Sequence, residues 1–220
     1  MTKQELINHF KNDTKVLVSP TMEKAFRDVD RAAFVPEGLL DEAYEDYPLP
    51  IGFGATISQP TTVAFMLEKL NVRKGQKVLD IGSGSGWTTA LLSHLVGPKG
   101  RVIGLEIIPE LVTLGRKNIE HFYSDILENT RIRMASMPEI KLAKRGMMGL
   151  PEEAPFDRIL VSAAAKEVPS KLIEQLKPVG ALVIPVGQEL EMQKIVILQK
   201  TKGGTVIAEE YPGFVFVPLR

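Results

Sequence analysis

The stretch VLDIGSGSG, residues 78–86, decides the fold of this 220-residue chain. It opens with a short, largely apolar run that is typical of a buried strand, and glycines at alternate positions follow directly. Glycine adopts positive φ readily and carries no Cβ, so such a turn lets bare backbone amides approach a ligand before a helix begins. The stretch therefore predicts a strand, a ligand-binding turn and a helix in succession.

A second apolar run, Val102 to Leu105, ends in the acid Glu106 about twenty residues beyond the turn. In a βαβ unit that builds a nucleotide site, a carboxylate at this distance accepts hydrogen bonds from ribose hydroxyls. We therefore expect a nucleoside to lie between the glycine turn and Glu106.

The spacing of the glycines separates two classes of nucleotide ligand. A dinucleotide turn reads Gly-x-Gly-x-x-Gly, whereas this chain reads Asp-x-Gly-x-Gly-x-Gly. The acid would repel a pyrophosphate but can reach the cationic amino group of a methionine moiety, which favours S-adenosylmethionine. A turn without a ligand is the weaker interpretation, because three glycines carry an entropic cost that a plain connection does not need. The predicted cofactor-binding residues are Asp80, Gly82, Ser83, Gly84, Gly86 and Glu106.

Composition limits the other classes of function. Basic and acidic residues number 27 each, so no global field attracts nucleic acid or an anionic membrane. There is no cysteine, and the three histidines, His9, His94 and His121, are far apart in sequence, so we expect no metal site. Because the chain also lacks a long apolar segment, we expect a soluble, cytoplasmic protein. We further expect it to be a monomer.

From residue 72 onward, apolar runs alternate with helical stretches, which is typical of a parallel sheet with helices on both faces. The fold class is therefore α/β, a doubly wound, mostly parallel, Rossmann-like sheet of seven strands within a single domain, residues 1–220. Helices are predicted at Gly86–Val96, Pro109–Tyr123 and Pro169–Leu176. Parallel strands are predicted near Lys77–Ile81, Arg101–Glu106, Arg131–Met134, Arg158–Val161 and Ala181–Pro185, and strands with antiparallel character at Lys194–Gln199 and Phe214–Val217.

Residues 1–71 are predicted to form an N-terminal helical extension with a substrate loop. Apolar spacing predicts one helix over Thr2–Lys11, and Pro20 begins a second. The segment Tyr44–Ala55 is broken by prolines and glycines and predicts an ordered loop without regular structure. Pro60 begins a third helix, with Ser58 or Gln59 near its cap.

The segment Ala135–Glu153 is also broken by prolines and glycines. It is predicted to be a loop over the carboxyl edge of the sheet, which is the edge where open α/β sheets bind ligands.

Several blocks, in order along the chain, resemble the protein-L-isoaspartate O-methyltransferase family. The glycine turn and Glu106 occur in many methyltransferases, whereas the stretch around Ser58 with the proline-rich loop before it is specific to this family. The blocks are RAAFVP (31–36), AYED (43–46), PLPIG (48–52), TISQP (56–60), the turn (78–87), EEAPFD (152–157), PVG (185–187) and FVPL (216–219).

The resemblance implies a class I S-adenosylmethionine-dependent methyltransferase. Such an enzyme transfers a methyl group to the free α-carboxyl of L-isoaspartyl residues, and of D-aspartyl residues, in damaged proteins, and the ester then collapses to a succinimide. It implies a catalytic role for Ser58 and substrate binding by Thr56, Ile57, Ser58 and Gln59. It adds Ile107, Arg145 and Gly146 to the cofactor-binding residues.

The chain departs from the family at one of these positions. Members usually carry Gly-Asp-Gly, whose aspartate accepts from the adenine amino group, whereas this chain has Lys144-Arg145-Gly146. Arginine offers no acceptor, so the adenine contact must come from a backbone carbonyl, from Glu139 or Ser136, or be lost.

Transfer of a methyl group to a carboxylate needs neither a cysteine nor a cluster of histidines, which agrees with the composition of the chain. An α-carboxyl with a pKa of about 3.5 is ionised at neutral pH, so attack on a sulfonium methyl needs no general base. The protein must instead align the acceptor, and the Ser58 hydroxyl can donate to a carboxylate without neutralising it. The other interpretation of Ser58 is an ordinary helix N-cap, which is compatible with that role.

Two alternatives stay open from the sequence. One is a methyltransferase that acts on another peptide or on RNA, suggested by a basic segment that holds Arg131, Arg133, Lys141, Lys144 and Arg145. The other is a non-catalytic binding protein that has lost its affinity for the cofactor.

Overall fold

The computed structural model describes residues 1–129, 137–188, 191–204 and 206–219. The helices are α1 (Lys3–Asn12), α2 (Pro20–Asp28), α3 (Pro60–Leu70), α4 (Trp87–Val96), α5 (Pro109–Asn129) and α6 (Ser170–Glu174). Short 3₁₀ helices cover Arg31–Phe34, Glu37–Glu42 and Pro151–Glu153. The strands are β1 (Leu49–Gly52), β2 (Ala55–Ile57), β3 (Lys77–Ile81), β4 (Arg101–Glu106), β5 (Glu139–Leu142), β6 (Phe156–Val161), β7 (Leu176–Val186), β8 (Gln193–Lys200) and β9 (Val206–Phe214).

Seven of the described strands form one sheet in the order β5-β4-β3-β6-β7-β8-β9. The strands from β5 to β7 pair in parallel, and β8 and β9 add two antiparallel pairings. Asp80 of β3 lies beside Gly104 of β4 on one side and Leu160 of β6 on the other. Since the chain continues from β3 to β4 on one side and reaches β6 on the other, the carboxyl end of β3 opens a crevice. The sheet confirms the predicted doubly wound, mostly parallel fold.

The N-terminal extension packs on α4, directly behind the glycine turn. α4 is buried along nearly its whole length, because most of its side chains are apolar or small hydroxyls. Phe10 of α1 meets Phe26 of α2 edge to face, with ring centroids 5.3 Å apart, and Phe26 meets Trp87 of α4 in the same way at 5.8 Å. Among the described helices, none combines the length and apolar character needed to cross a membrane.

The parallel edge of the sheet differs from the prediction. The strand predicted at Arg131–Met134 lies outside the described residues, and the strand that pairs with β4 is Glu139–Leu142. The prediction of a loop throughout Ala135–Glu153 is therefore wrong over β5. Only Ile140 of β5 is buried, so this strand lacks the apolar run that marks the others, and backbone pairing with β4 holds it.

Two further boundaries were predicted incorrectly. The loop predicted at Tyr44–Ala55 contains β1, which forms an antiparallel hairpin with β2. Phe53 and Gly54 turn that hairpin with φ of 55° and 73°, a conformation that apolar patterning does not reveal. The last strand, β9, ends at Phe214, whereas the prediction placed its beginning there. β9 pairs with β8 along its length, but its exposed acids do not give the apolar pattern of a strand.

Candidate active site

The glycine turn between β3 and α4 has the backbone that its sequence predicts. Gly82, Gly84 and Gly86 take φ of 79°, 49° and 91°. Gly86 is the most constrained of the three, because a Cβ there would lie 3.1 Å from the carbonyl oxygen of Gly115 and 3.1 Å from Ile119 Cγ1. The turn is thus pressed against α5, and a side chain at Gly86 would separate the two.

Most amides of this turn are bonded inside the protein, contrary to the expectation of bare N–H groups. The amides of Gly82 and Ser83 both donate to the carbonyl of Leu105, at 2.8 and 3.0 Å, and that of Gly86 donates to Ser83 at 2.8 Å. Gly84 donates to Glu106 Oε2 at 3.0 Å. The glycines therefore present a surface without side chains, and they do not form the cluster of free amides that binds a pyrophosphate.

Glu106 is held at the carboxyl end of β4 by backbone donors. It is 6% exposed, and its Oε1 accepts from the amides of Ile107 at 2.8 Å and Ile108 at 3.0 Å, in addition to the Gly84 bond to Oε2. A carboxylate has about four acceptor sites, so a site is left for a ligand hydroxyl. The structure brings Glu106 and the turn together as predicted.

Asp80 lies behind the turn, with its carboxylate fully buried. Its Oδ2 accepts from the hydroxyls of Thr88 at 2.8 Å and Thr89 at 2.6 Å, in the first turn of α4. Burial raises the pKa of Asp80 to about 6, although the two threonine hydrogen bonds lower it, and Glu106 adds a smaller repulsion that raises it. The side chain does not line the cavity described below, so its main contact is with α4.

Two buried oxygens beside the turn have no hydrogen-bond partner among the described residues, Asp80 Oδ1 and Ser83 Oγ. Buried polar atoms are nearly always satisfied by protein, water or ligand. Ser83 lines the cavity described below, so its unpaired hydroxyl fits a site that a polar molecule completes, such as the amino acid end of S-adenosylmethionine.

The loop between β2 and α3 carries the predicted acceptor-binding residues. Gln59, not Ser58, is the N-cap of α3, and its side chain makes no capping bond. Instead, Gln59 Nε2 donates to the carbonyl of Asp46 at 3.0 Å and to Asp46 Oδ2 at 3.2 Å. The Ser58 hydroxyl makes no hydrogen bond to any described residue, and the interpretation of Ser58 as an ordinary N-cap is wrong.

One cavity of about 280 Å³ joins these two parts of the chain, close to the lower end of the range of small-molecule sites, about 300–1,000 Å³. The glycine turn and the end of β4 form one wall, and the loop after β2 forms the opposite wall. Predicted site residues along the cavity are Thr56, Ile57, Ser58, Gly82, Ser83, Gly84, Glu106, Ile107 and Gly146. The predicted residues outside the lining are Asp80, Gly86, Gln59 and Arg145.

The segment after β5 supplies the cavity with backbone and methionines. Arg145 is exposed, whereas Gly146, Met147 and Met148 line the cavity. Of the two side chains considered for the adenine contact, Glu139 is not part of the lining and Ser136 lies outside the described residues.

A third wall of the cavity is formed by the segment after β9, which the sequence did not predict. Residues Val217 to Leu219 line the cavity, and the amide of Ala164, just after β6, donates to the carbonyl of Val217 at 2.8 Å. The amide of Leu219 donates back to Ala164 at 2.8 Å. The only sequence signal for this segment was the block FVPL (216–219), which the resemblance to the family includes without assigning it a role.

A doubly wound sheet, a glycine turn after the first central strand and an acid at the end of the next define a class I S-adenosylmethionine-dependent methyltransferase. Comparison with known proteins gives the particular family. The profile of the protein-L-isoaspartate(D-aspartate) O-methyltransferase family matches residues 1–220, so the chain belongs to that family.

Individual relatives agree. A protein-L-isoaspartate O-methyltransferase from Methanopyrus kandleri is 46% identical over 201 residues, which cover 91% of this chain and 84% of that protein. One from Methanothrix thermoacetophila is 43% identical over 219 residues, covering 100% and 95%. A crystal structure of a Plasmodium falciparum protein described as a protein-L-isoaspartate O-methyltransferase, in complex with S-adenosyl-L-homocysteine, superimposes with a TM-score of 0.84 at 27% identity, covering 100% and 99% of the two chains.

These matches confirm the family, the fold class, the enzyme class and the methyl donor predicted from the sequence.

Proposed function

We propose that the cavity binds S-adenosylmethionine against the glycine turn and an isoaspartyl residue against Ser58, and that the chain methylates the free α-carboxyl of that residue. The observation that carries this is the shared cavity, because one wall is the turn with Glu106 and the other is the segment from Thr56 to Ser58. Membership of the family supports the same acceptor.

The residues present fit the methyl donor. Glu106, positioned by three backbone amides, would accept from the ribose hydroxyls with its remaining acceptor capacity. Ser83, whose buried hydroxyl has no partner among the described residues, lines the cavity together with Ile107 and Gly146. When bound, S-adenosylmethionine supplies an electrophilic methyl group on a positively charged sulfur.

Ser58 would hold the acceptor carboxylate. Its hydroxyl has no hydrogen-bond partner among the described residues, so it can donate to an incoming anion without breaking a bond of its own. Such a donor would orient the carboxylate and leave it ionised, ready to accept the methyl group that S-adenosylmethionine supplies when bound. Orientation of this kind supplies up to about 7–11 kcal/mol in favourable intramolecular cases.

Apolar side chains keep water from the reacting groups. Ile57 is 4% exposed and Trp87 is 2% exposed, and both line the cavity, as does Leu111 of α5. A drier cavity strengthens the hydrogen bond from Ser58 to a carboxylate.

The test is a paired peptide assay. The pure protein is incubated with S-adenosylmethionine carrying a labelled methyl group, together with an isoaspartyl peptide or its aspartyl twin. Base-labile label in the isoaspartyl peptide alone is the expected result. Equal labelling of both peptides, or labelling of neither, would contradict the proposed acceptor, and a D-aspartyl peptide tests the second acceptor of the family.

No described contact favours an RNA acceptor over a peptide. Lys141 lies 3.5 Å from Glu139 and 3.0 Å from Glu153, and Lys144 lies 3.9 Å from Glu152, so these lysines face carboxylates. Arg131 and Arg133 lie outside the described residues. Calorimetry with S-adenosylhomocysteine tests the non-catalytic alternative, which predicts no saturable binding.

We also propose that residues 1–220 act as a single methyltransferase domain, in a cytoplasmic monomer without a nucleic-acid partner. The balanced charge supports the lack of a nucleic-acid partner, and the lack of cysteine fits a reducing compartment. Light scattering of the purified protein tests the monomer.

A further inference from the structure

Arg31, in the 3₁₀ helix that follows α2, is a buried cation bonded to the backbone. It is 2% exposed, and its described hydrogen-bond partners are all backbone carbonyls. Burial lowers the pKa of Arg31 to about 10, with a smaller opposing effect from Asp46. A charge buried in this way is costly unless its hydrogen bonds are placed well, so its location calls for a function.

The four carbonyls that Arg31 holds enclose the β1–β2 hairpin. Nη1 donates to Ala43 at 2.7 Å and to Glu45 at 3.3 Å, before the hairpin begins. Nη2 donates to Tyr47 at 3.2 Å, also before β1, and to Ser58 at 3.2 Å, immediately after β2. One guanidinium group therefore closes the base of the hairpin and bonds directly to the residue that faces the cavity.

The same group also contacts the helix that begins at the glycine turn. The guanidinium carbon of Arg31 lies 5.4 Å from the centroid of the Trp87 ring, within the range of a cation–π contact. Trp87 is the first residue of α4, directly after Gly86, and it lines the cavity. Arg31 is thus in contact with both walls of the cavity without lining it.

We propose that Arg31 is a positioning residue for the acceptor site, which fixes Ser58 at a set distance from the glycine turn by bonding the Ser58 carbonyl while packing on Trp87. This deepens the proposed function and rests on it. The planar fork of arginine suits the task, since two nitrogens bond carbonyls from both ends of the hairpin while the flat face lies on an aromatic ring. Lysine keeps the charge but offers a single nitrogen that cannot span the four carbonyls.

A second arginine of the chain serves as a matched control. Arg158, near the start of β6, donates to the carbonyls of Leu70 and Asp157, each at 2.8 Å, and burial also lowers its pKa. It does not line the cavity, and its partners lie at the end of α3 and the start of β6. Arg31→Lys and Arg158→Lys thus remove equivalent kinds of bonds at the site and away from it.

The experiment measures three quantities for the wild type and both variants: the melting temperature, the Kd of S-adenosylhomocysteine from the fluorescence of the sole tryptophan, and kcat and KM for the isoaspartyl peptide. For Arg31→Lys we expect kcat/KM for the peptide to fall about 10- to 100-fold, because a misplacement of about 1 Å costs up to a hundredfold. The Kd of S-adenosylhomocysteine stays unchanged. Arg158→Lys is expected to lower the melting temperature and leave kcat/KM as in the wild type.

A merely structural role would give the opposite pattern. If Arg31→Lys lowers the melting temperature but keeps the wild-type kcat/KM, the positioning role is wrong. If Arg31→Lys does not fold, Arg31→Gln replaces it, since this variant removes the buried charge and its shorter amide does not reach the Ser58 carbonyl. The same selective loss is then expected, and wild-type kinetics in that variant would overturn the inference. A wild-type protein that labels neither peptide instead contradicts the proposed function.

Discussion

Replacing Asp80 with asparagine is expected to stabilise the fold at neutral pH, although Asp80 lies next to the active-site turn. Its pKa rises from an ordinary value of 3.8 to about 6, chiefly because the carboxylate is buried. At about 1.4 kcal/mol per pKa unit, keeping Asp80 ionised at pH 7 lowers the free energy of unfolding by about 3 kcal/mol. The asparagine side chain carries no charge and escapes that penalty.

The direction in which the stability of the wild type changes with pH follows from proton uptake by Asp80. Between about pH 4 and pH 6 the folded state holds a proton on Asp80 that the unfolded state has released, so the wild type loses stability as the pH rises through this window. Below this window the carboxyl is protonated in both states and the penalty vanishes. The stability difference between Asp80→Asn and the wild type should therefore grow from pH 4 to pH 6 and stay level above it.

Urea denaturation at half-unit steps from pH 4 to pH 8 measures this difference. A gain of about 3 kcal/mol corresponds to about 6–12 °C in melting temperature for a chain of this size. Thr89→Val, which removes a hydrogen bond that lowers the pKa of Asp80, should move the window to higher pH. A stability difference that is constant from pH 4 to pH 8 would refute the reasoning, because it would mean that the fold leaves the Asp80 pKa at its ordinary value.

Three further outcomes are expected. Ser58→Ala should lower kcat/KM for the isoaspartyl peptide about 10- to 150-fold, the worth of one hydrogen bond to a charged group, with an unchanged Kd for S-adenosylhomocysteine by calorimetry. Gly86→Ala should destabilise the fold by about 1–3 kcal/mol in urea denaturation, since φ is 91° and the new Cβ meets α5, while Gly38→Ala, with open space around it, should be neutral. Hydrogen bonds from Lys141 first, and then from Arg101 and Lys77, lower the pKa of Glu153 to about 2. Glu153→Gln should therefore lose stability at pH 7. Denaturation at falling pH should show this loss vanish toward pH 2, where Glu153 becomes protonated.

The cavity wall formed by the glycine turn and Glu106 could largely be predicted, because its signals are local. The glycine turn and Glu106 belong to one βαβ unit, in which geometry fixes how far apart the chain places them. The hydrogen bonds of the turn amides could not be predicted. The amides of Gly82 and Ser83 donate to the Leu105 carbonyl of β4, and that of Gly84 donates to Glu106, which was expected to bond a ligand instead. Backbone acceptors have no signature in the sequence.

The opposite wall of the cavity, formed by the loop after β2, depends on contacts between distant segments. Ser58 was identified from the resemblance to a family, whereas only the structure shows that its neighbour Gln59 bonds Asp46 and caps α3 without a side-chain bond. The sequence indicated no role for Arg31 beyond its place in the block RAAFVP, because its hydrogen-bond partners are carbonyls 12 to 27 residues away. Such partners become visible only after the hairpin has folded.

The sequence by itself determined the central sheet, its glycine turn and the family of this chain, because strand periodicity, glycine spacing and short motifs act over a few residues. The tertiary structure decided which segments share the cavity, which amides and carboxylates are already bonded, and which buried charge bonds the Ser58 carbonyl. These depend on packing between segments far apart in the chain, where the free energy of each contact is set by burial and partner geometry that no single segment contains.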